Sequence, residues 1–517
     1  MPGSRRQLAA LAAVTALALL ARLPTLGQAS LYLDEMWSIA TAWMPWRGIL
    51  SVVLHQDSNA SLYYALLHEW LRLGEGEATV RLLSVLLGVA TVPALYLLGA
   101  RLAGPRVGLF AALLLAVNGF HIQFSQTARG YSLLMLLATL STLCLVRAVE
   151  APDVGRWVAY AITSALAVYA HLFAALLIPA HAVALLLLRR RAHWRGFLGS
   201  AALAGALVLP VGALLLVRSG EPNAPLAWLT APTLRRVGGF FWLLAGNTTF
   251  SSGPGLAELA RGFPLLFGYL ALCLLAVHGG WRLRRDPARR LEAWAPALLL
   301  SLVVVPLALV IAASLRKPLF VHRFLLVCLP PLVLLAALGA GSLRRRWARG
   351  AALGALVALA MAGLPGYFRS RAAEVEWRAA TAYLLDRARP GDAVLFFVAP
   401  GRLLFDYYRD AAGRTSGHLQ VIYPEPLDDR RDPKALAYLP PLREDLVASA
   451  AARHDRVWLV LYHDEFDFTA PRRRELEEAL GARYRESGRA EFEGFFERAA
   501  VTLYARDPGE VTKAAGR

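Results

Sequence analysis

The chain has 517 residues, 57% of them hydrophobic, with a mean hydropathy of +0.46, which excludes an ordinary soluble protein. A formal net charge of +18 would suggest a nucleic-acid partner in a soluble chain. Here the excess is arginine in short loops between apolar runs, so it reads as membrane topology and no nucleic acid is expected.

Residues 7–23 form the first expected span, preceded by Arg5 and Arg6. That pattern also fits a secretory signal peptide, but the many spans that follow favour an uncleaved anchor. Further spans are expected near 79–100, 104–120, 130–149, 156–169, 171–189, 196–218, 263–281, 293–315, 321–341 and 348–366, eleven in all. Cys144, Cys273 and Cys328 all fall inside apolar segments, which leaves no disulfide framework or CxxC metal site.

With a cytoplasmic N-terminus, every cytoplasmic loop is basic. These loops carry Arg101 and Arg106, Arg147 and Arg156, Arg189 to Arg191 with Arg195, Arg282 to Arg290, and Arg344 to Arg346 with Arg349. The positive-inside rule therefore places the N-terminus inside a cytoplasmic (inner) membrane and the chain after residue 366 outside.

Three outer segments are long enough to build a site. The first, residues 24–78, opens with Asp34 and Glu35, a carboxylate pair too costly to bury in lipid. Leu33, Trp37, Ile39, Ala40 and Trp43 follow a helical stripe, so a short helix lying on the membrane is expected. Asp34 would sit at its start, where the positive end of the helix favours a carboxylate, and its plainer reading is an N-cap. Asp57 precedes a second amphipathic helix with apolar residues at 62, 63, 66, 67, 70 and 71.

The second segment, 219–262, holds Trp228, Phe240, Phe241 and Trp242, suited to a lipid or sugar groove and equally to interfacial anchoring. Asn247-Thr248-Thr249 also fits the glycosylation pattern. The third, 367–517, has the composition of a soluble domain. Strands are expected at 393–398, 419–423, 457–462 and 500–504, alternating with helices near 375–388, 401–411, 442–452 and 472–482. His463-Asp464-Glu465 follows a strand end, where α/β folds often place ligand groups, although such a trio more often caps a turn.

Several cations lie on the outer side, against the topology signal: Arg129, Arg316, Lys317 and Arg323, with His322. Each alone could snorkel to the headgroups. Together, facing the same compartment as Asp34 and Asp57, they suggest a phosphate site.

These stretches resemble the membrane-embedded GT-C glycosyltransferases of the family 39 type, which include protein mannosyltransferases and aminoarabinose transferases. The resemblance rests on Asp34-Glu35, on Asp57 through Leu73 with Tyr63-Tyr64, and on Arg81-Leu-Leu-Ser-Val-Leu-Leu-Gly. It also rests on Ser125-Gln-Thr-Ala-Arg129-Gly-Tyr131 and on His322-Arg323-Phe-Leu-Leu with Pro330-Pro331. It implies an α-helical polytopic membrane protein with about 11 transmembrane helices over 1–366 and a C-terminal extracytoplasmic α/β domain over 367–517. It further implies a polyprenyl-phosphate sugar donor and a lipid, glycan or protein acceptor at the bilayer.

The resemblance gives Asp34 the part of general base, with Glu35 and Asp57 as further catalytic carboxylates. Tyr63, Tyr64, Arg81, Arg129, Tyr131, Lys317, His322 and Arg323 are the implied substrate-binding residues. Two features depart from the family pattern. Asn59-Ala60 stand where paired prolines are frequent, and residues 121–129 carry no acid, with His121 or Asp57 as substitutes. A divalent cation therefore stays open as a cofactor, with no metal ligands assigned. The rival readings are a transporter or flippase of lipid-linked sugars, which would carry more ionisable groups within its spans, and a non-catalytic scaffold.

Overall fold

A computed structural model describes residues 5–188, 192–218, 229, 231–248, 255–283, 290–374, 376–414, 419–424, 436, 445–464, 469–494 and 498–506. Arg189 to Arg191, Trp228, Thr249, Arg284, Arg285, Arg289, Glu465 and the side chain of Arg290 lie outside the described residues.

Helices dominate the first three quarters of the chain. α1 (Arg5–Leu20) leads through a bend to α2 (Leu33–Trp43), α3 (Trp46–His55) and α4 (Ser61–Trp70). α5 (Glu77–Ala103), α6 (Pro105–Ala116), α7 (Gly119–Ser125), α8 (Tyr131–Glu150), α9 (Val154–Ala170) and α10 (Leu177–Leu188) follow. Then come α11 (Ala192–Arg218), α12 (Leu234–Leu244), α13 (Leu256–Leu283), α14 (Arg290–Ser314), α15 (Leu329–Ser342) and α16 (Arg346–Ala372). A 3-10 turn, His322–Cys328, runs directly into α15, and another, Leu172–Leu176, into α10.

All eleven expected segments are helical. Among the described residues, seven stretches are long and apolar enough to cross a membrane, and α6 with α7, bent by 64°, makes an eighth if counted as one span. α1, α9 and α10 fall short of the about 20 residues a bilayer needs, at 16, 17 and 12 residues.

The α5–α6 hairpin shows how sequence fixes the packing. Gly104 takes φ +89 to end α5, and Pro105 opens α6, where a missing N–H costs nothing. The two helices then touch through Gly99 and Gly108. A Cβ on Gly108 would lie 2.4 Å from the Tyr96 carbonyl oxygen, so only glycine lets the backbones meet there.

The C-terminal tail is an α/β unit. α17 (Glu376–Arg387), β1 (Asp392–Phe396), α18 (Ala399–Ala411), β2 (Leu419–Tyr423), α19 (Leu446–Arg453), β3 (Arg456–Tyr462), α20 (Ala470–Gly481), β4 (Arg485–Glu493) and β5 (Arg498–Ala505) follow in order. The sheet runs β2-β1-β3-β5-β4, with β1 parallel to β2 and β3, and β5 antiparallel to β3 and β4. Four strands lie where the apolar runs predict them. β4 is the addition, a polar edge strand whose residues are half or fully exposed.

The first loop corrects one expectation. α2 does not lie free on a membrane surface: nine of its eleven residues are buried within the protein. Its apolar stripe is covered by α4 and by α18 of the C-terminal domain, with Trp43 stacked on Tyr407 at 6.3 Å. The exposed apolar side chains of this loop's helices are Trp46 and Leu50 of α3 and Leu66 of α4.

Candidate active site

Asp34 and Glu35 are neighbours with opposite environments, because adjacent helical residues point about 100° apart. Glu35 turns inward. Arg81 donates to both its oxygens, Nε to Oε1 at 2.8 Å and Nη2 to Oε2 at 2.6 Å, and the Ala128 N–H adds a third bond at 2.9 Å. The other donors of Arg81 reach the carbonyls of Leu26, Ala29 and Ser30. Both side chains are wholly buried. The polar atoms of Glu35 and Arg81, expected as a catalytic and a substrate-binding residue, are spent on each other and on the loop.

That lock positions the loop carrying Arg129. The Ala128 N–H is held by Glu35, and the Arg129 carbonyl accepts from Ser84 Oγ, which is itself bonded to the Tyr63 hydroxyl at 2.8 Å. Tyr63 thus braces the frame from a buried position and offers no surface to a substrate.

Asp34 faces the other way and keeps about a third of its side chain exposed, 32%, beside Arg323 at 27%. Arg323 Nη2 lies 3.4 Å from Asp34 Oδ2. Arg129 Nη1 approaches the Asp34 carbonyl at 3.4 Å and Ser38 Oγ at 3.3 Å, one helical turn along the same face. Trp37, also on that face, has a buried indole N–H with no partner among the described residues. Burial works against ionising Asp34, but the guanidinium groups of Arg323 and Arg129 outweigh it and hold its carboxyl below the usual carboxylate range. Asp34 is not an N-cap, since Tyr32 holds that position.

The remaining expected residues divide. Tyr64 is buried and donates to Asp57 Oδ2, while Asp57 Oδ1 accepts from the Asn59 N–H at 2.8 Å. Asp57 is thus tied into the turn before α4, two bonds from the charge cluster. Tyr131 lies against Phe124 and His171, within electrostatic reach of Asp34, Arg129 and Arg323. His322 bonds the Arg236 carbonyl at 2.8 Å and so anchors α12. Lys317 is exposed, with no hydrogen bond or ion pair to the cluster among the described residues. His121 accepts from Arg22 Nη2 at 2.6 Å in a separate buried network, so it does not replace a missing acid.

Two histidines also lie near the cluster, His171, which carries no expectation from the sequence, and His463, the first of the trio expected at a strand end. His171 contacts Asn59 at 3.4 Å and packs on Phe324, the residue after Arg323. Its signal was weak: one polar residue at the break between two short apolar spans. His463, at the end of β3, lies within electrostatic reach of Asp34 and Arg323. Among the described residues no group of three or more His, Cys, Asp or Glu is gathered to hold a metal ion.

These features define a polytopic helical membrane protein whose carboxylate and arginines meet beside a C-terminal α/β domain. Residues 58–215 match the family described as dolichyl-phosphate-mannose-protein mannosyltransferase. The fold is similar to ArnT from Cupriavidus metallidurans bound to undecaprenyl phosphate, with TM-score 0.55, 15% identity, and 95% of this chain and 97% of that chain covered. The apo state of that protein gives TM-score 0.55 at 13% identity, with the same coverage. A weaker likeness, TM-score 0.48 at 13% identity over 88% of this chain and 69% of that chain, is to the Archaeoglobus fulgidus oligosaccharyltransferase AglB with an inhibitory peptide and a dolichol-phosphate. No curated protein matches the chain in sequence. The resemblance to GT-C glycosyltransferases of the mannosyltransferase and ArnT type is borne out.

Proposed function

We propose that the protein is a membrane glycosyltransferase that moves a sugar from a polyprenyl-phosphate donor to an acceptor hydroxyl at the outer face of the membrane, with Asp34 as general base. One observation carries this reading: a carboxylate about a third exposed, held ionised, meets two arginines from different parts of the chain. The matched family's description supplies the donor class, a sugar on a lipid phosphate.

The chemistry follows from that pairing. The acceptor hydroxyl gives its proton to Asp34 and its oxygen attacks the anomeric carbon of the sugar. The bond from that carbon to the phosphate oxygen breaks, and its electron pair leaves with the lipid phosphate. Arg129 and Arg323 stabilise the charge that develops on the departing oxygen. Their positions also solve a difficulty. An aspartate pinned between guanidiniums is a poor base, but an arriving phosphate competes for those guanidiniums. Donor binding thereby loosens Asp34 and raises its basicity at the moment a base is required.

The test is cleavage of labelled dolichyl-phosphate mannose by the purified full-length protein in lipid nanodiscs, with water standing in as the acceptor hydroxyl. Release of dolichyl phosphate supports the reading. Intact donor after prolonged incubation, with donor binding demonstrated, overturns it.

A further inference from the structure

The C-terminal domain meets the membrane helices where the candidate site lies. It is fixed to the segment leading into the helix that carries Asp34 and to α5: the Tyr408 hydroxyl of α18 accepts from the Leu31 N–H at 2.6 Å and donates to Glu77. Arg378 of α17 adds a bond to the Gln28 carbonyl at 3.0 Å and an ion pair to Glu77.

In that docked arrangement one residue stands out. His463 is the first residue past the C-terminal end of the central strand β3, where α/β sheets gather ligand groups. It holds φ +54, one of two non-glycine residues with positive φ among the described residues. Backbone strain of this kind persists only where the surroundings over-determine it, and it clusters at functional sites. The surroundings here do so. The imidazole lies flat on the Tyr462 ring, 4.7 Å away at 7°, and Tyr462 packs edge-on against the buried Trp377. The His463 carbonyl accepts from Thr469 Oγ1 at 3.0 Å, and the next residue, Asp464, is buried in an ion pair with Arg473.

We propose that His463 is the C-terminal domain's contribution to the transfer site, a hydrogen-bonding group that positions the acceptor hydroxyl beside Asp34. This rests on the glycosyltransfer reading above. The imidazole lies close enough to Asp34 and Arg323 for each to act on its charge. Burial pushes it down to about 4, with Asp34 pulling the other way, Arg323 adding to the fall and Asp464 opposing it. At neutral pH the ring is uncharged and has one donor and one acceptor. It can orient a hydroxyl without neutralising the carboxylate that must take the proton. The membrane bundle alone does not complete the site on this account.

His463→Gly removes the imidazole and suits the left-handed backbone. His463→Asn tolerates the same backbone and keeps a donor and an acceptor. One arm of the test needs no substrate. The His463 ring signal is followed by NMR against pH in the full-length protein, assigned by its loss in His463→Asn. Asp34→Asn is expected to lower its midpoint, because the carboxylate that favours the charged ring is gone. An unmoved midpoint overturns the proposal. The second arm measures turnover of dolichyl-phosphate mannose. His463→Gly is expected to lower kcat about tenfold, the worth of one hydrogen bond to a reacting group, with donor KM unchanged and partial recovery in His463→Asn. Wild-type turnover in His463→Gly also overturns it. If the wild-type protein binds this donor and leaves it intact while Asp34→Asn still moves the midpoint, the glycosyltransfer reading falls and takes the proposed role with it.

Discussion

Arg81 Nη2 lies 2.6 Å from Glu35 Oε2 with neither side chain exposed, one residue away from a carboxylate that is a third exposed. The two acids therefore answer to different physics. Glu35 belongs to a closed ion pair whose remaining valences are met by backbone, and Asp34 belongs to a partly exposed cluster.

Breaking the closed pair from one side should unsettle the fold. Glu35→Gln leaves the Arg81 charge buried without its counter-ion, a change that typically costs about 3–5 kcal/mol. Thermal unfolding in detergent is expected to show a large loss of Tm, with Asp34→Asn close to wild type. Equal Tm values for Glu35→Gln and wild type would refute the structural assignment of the pair.

Asp34→Asn is expected to fold, because Asp34 is neither capped nor capping and stays partly exposed. Its stability loss is the carboxylate's interaction with the first helical turn, about 0.3–1 kcal/mol, and its partly exposed ion pair with Arg323, of similar size, about 0–1 kcal/mol. Turnover of dolichyl-phosphate mannose should fall by roughly two to four orders of magnitude, the usual size of general-base catalysis. A well-folded Asp34→Asn protein that turns over at the wild-type rate would sink the mechanism.

Arg129 and Arg323 reach Asp34 from different segments, so each can be removed singly. Replacing either with Ala should weaken binding of undecaprenyl phosphate by about ten- to a hundredfold, as loss of a charge-assisted hydrogen bond predicts. Calorimetric titration into nanodiscs would measure it. Lys317→Ala, at an exposed position away from the cluster, serves as the control and is expected to bind normally. Unchanged affinity in both arginine variants would return them to the headgroup-snorkelling explanation.

Asp34 also sets a pH signature. Its folded carboxyl lies below the usual value of about 3.9, so the stability it contributes is full above that value and lost as pH falls through the depressed one. The acid limb of kcat/KM, which reports the free enzyme, should lie below the ordinary carboxylate range. Once donor phosphate engages the arginines, the limb of kcat should move to higher pH. Profiles at saturating and subsaturating donor measure both, and coincident limbs would show that donor binding does not release the carboxylate.

Much of the fold was legible because it follows from runs of apolar residues. The four buried strands and four helices of the tail lie within a few residues of the periodicities that announce them. β4 escaped because Arg485–Glu493 reads as polar surface, and only pairing with β5 makes it a strand. α2 was legible as a helix but not in its placement. A stripe with tryptophans suits a headgroup layer and a neighbouring domain equally, and the sequence holds no sign that α18 covers it.

Within the candidate site, Asp34, Arg129 and Arg323 were visible because charge at membrane level is costly and demands a reason. The pairing of Glu35 with Arg81 was not, since two residues 46 positions apart announce no contact. His171 is a lone histidine and His463 heads a polar trio at a strand end, and only tertiary packing brings them near the cluster.

The bonds that join the two parts of the chain impose an order on its biosynthesis. The Leu31 N–H finds its acceptor 377 residues later, on Tyr408, and the Arg378 N–H reaches back 348 residues to Ser30. At a synthesis rate of about 5–20 residues per second, the loop around Asp34 waits roughly 20 to 75 seconds for the segment that closes it. During that interval its backbone polar groups must be held by water or by a chaperone. A ribosome stalled before α18 would therefore leave a membrane bundle whose first loop is unfinished, a natural substrate for membrane quality-control proteases.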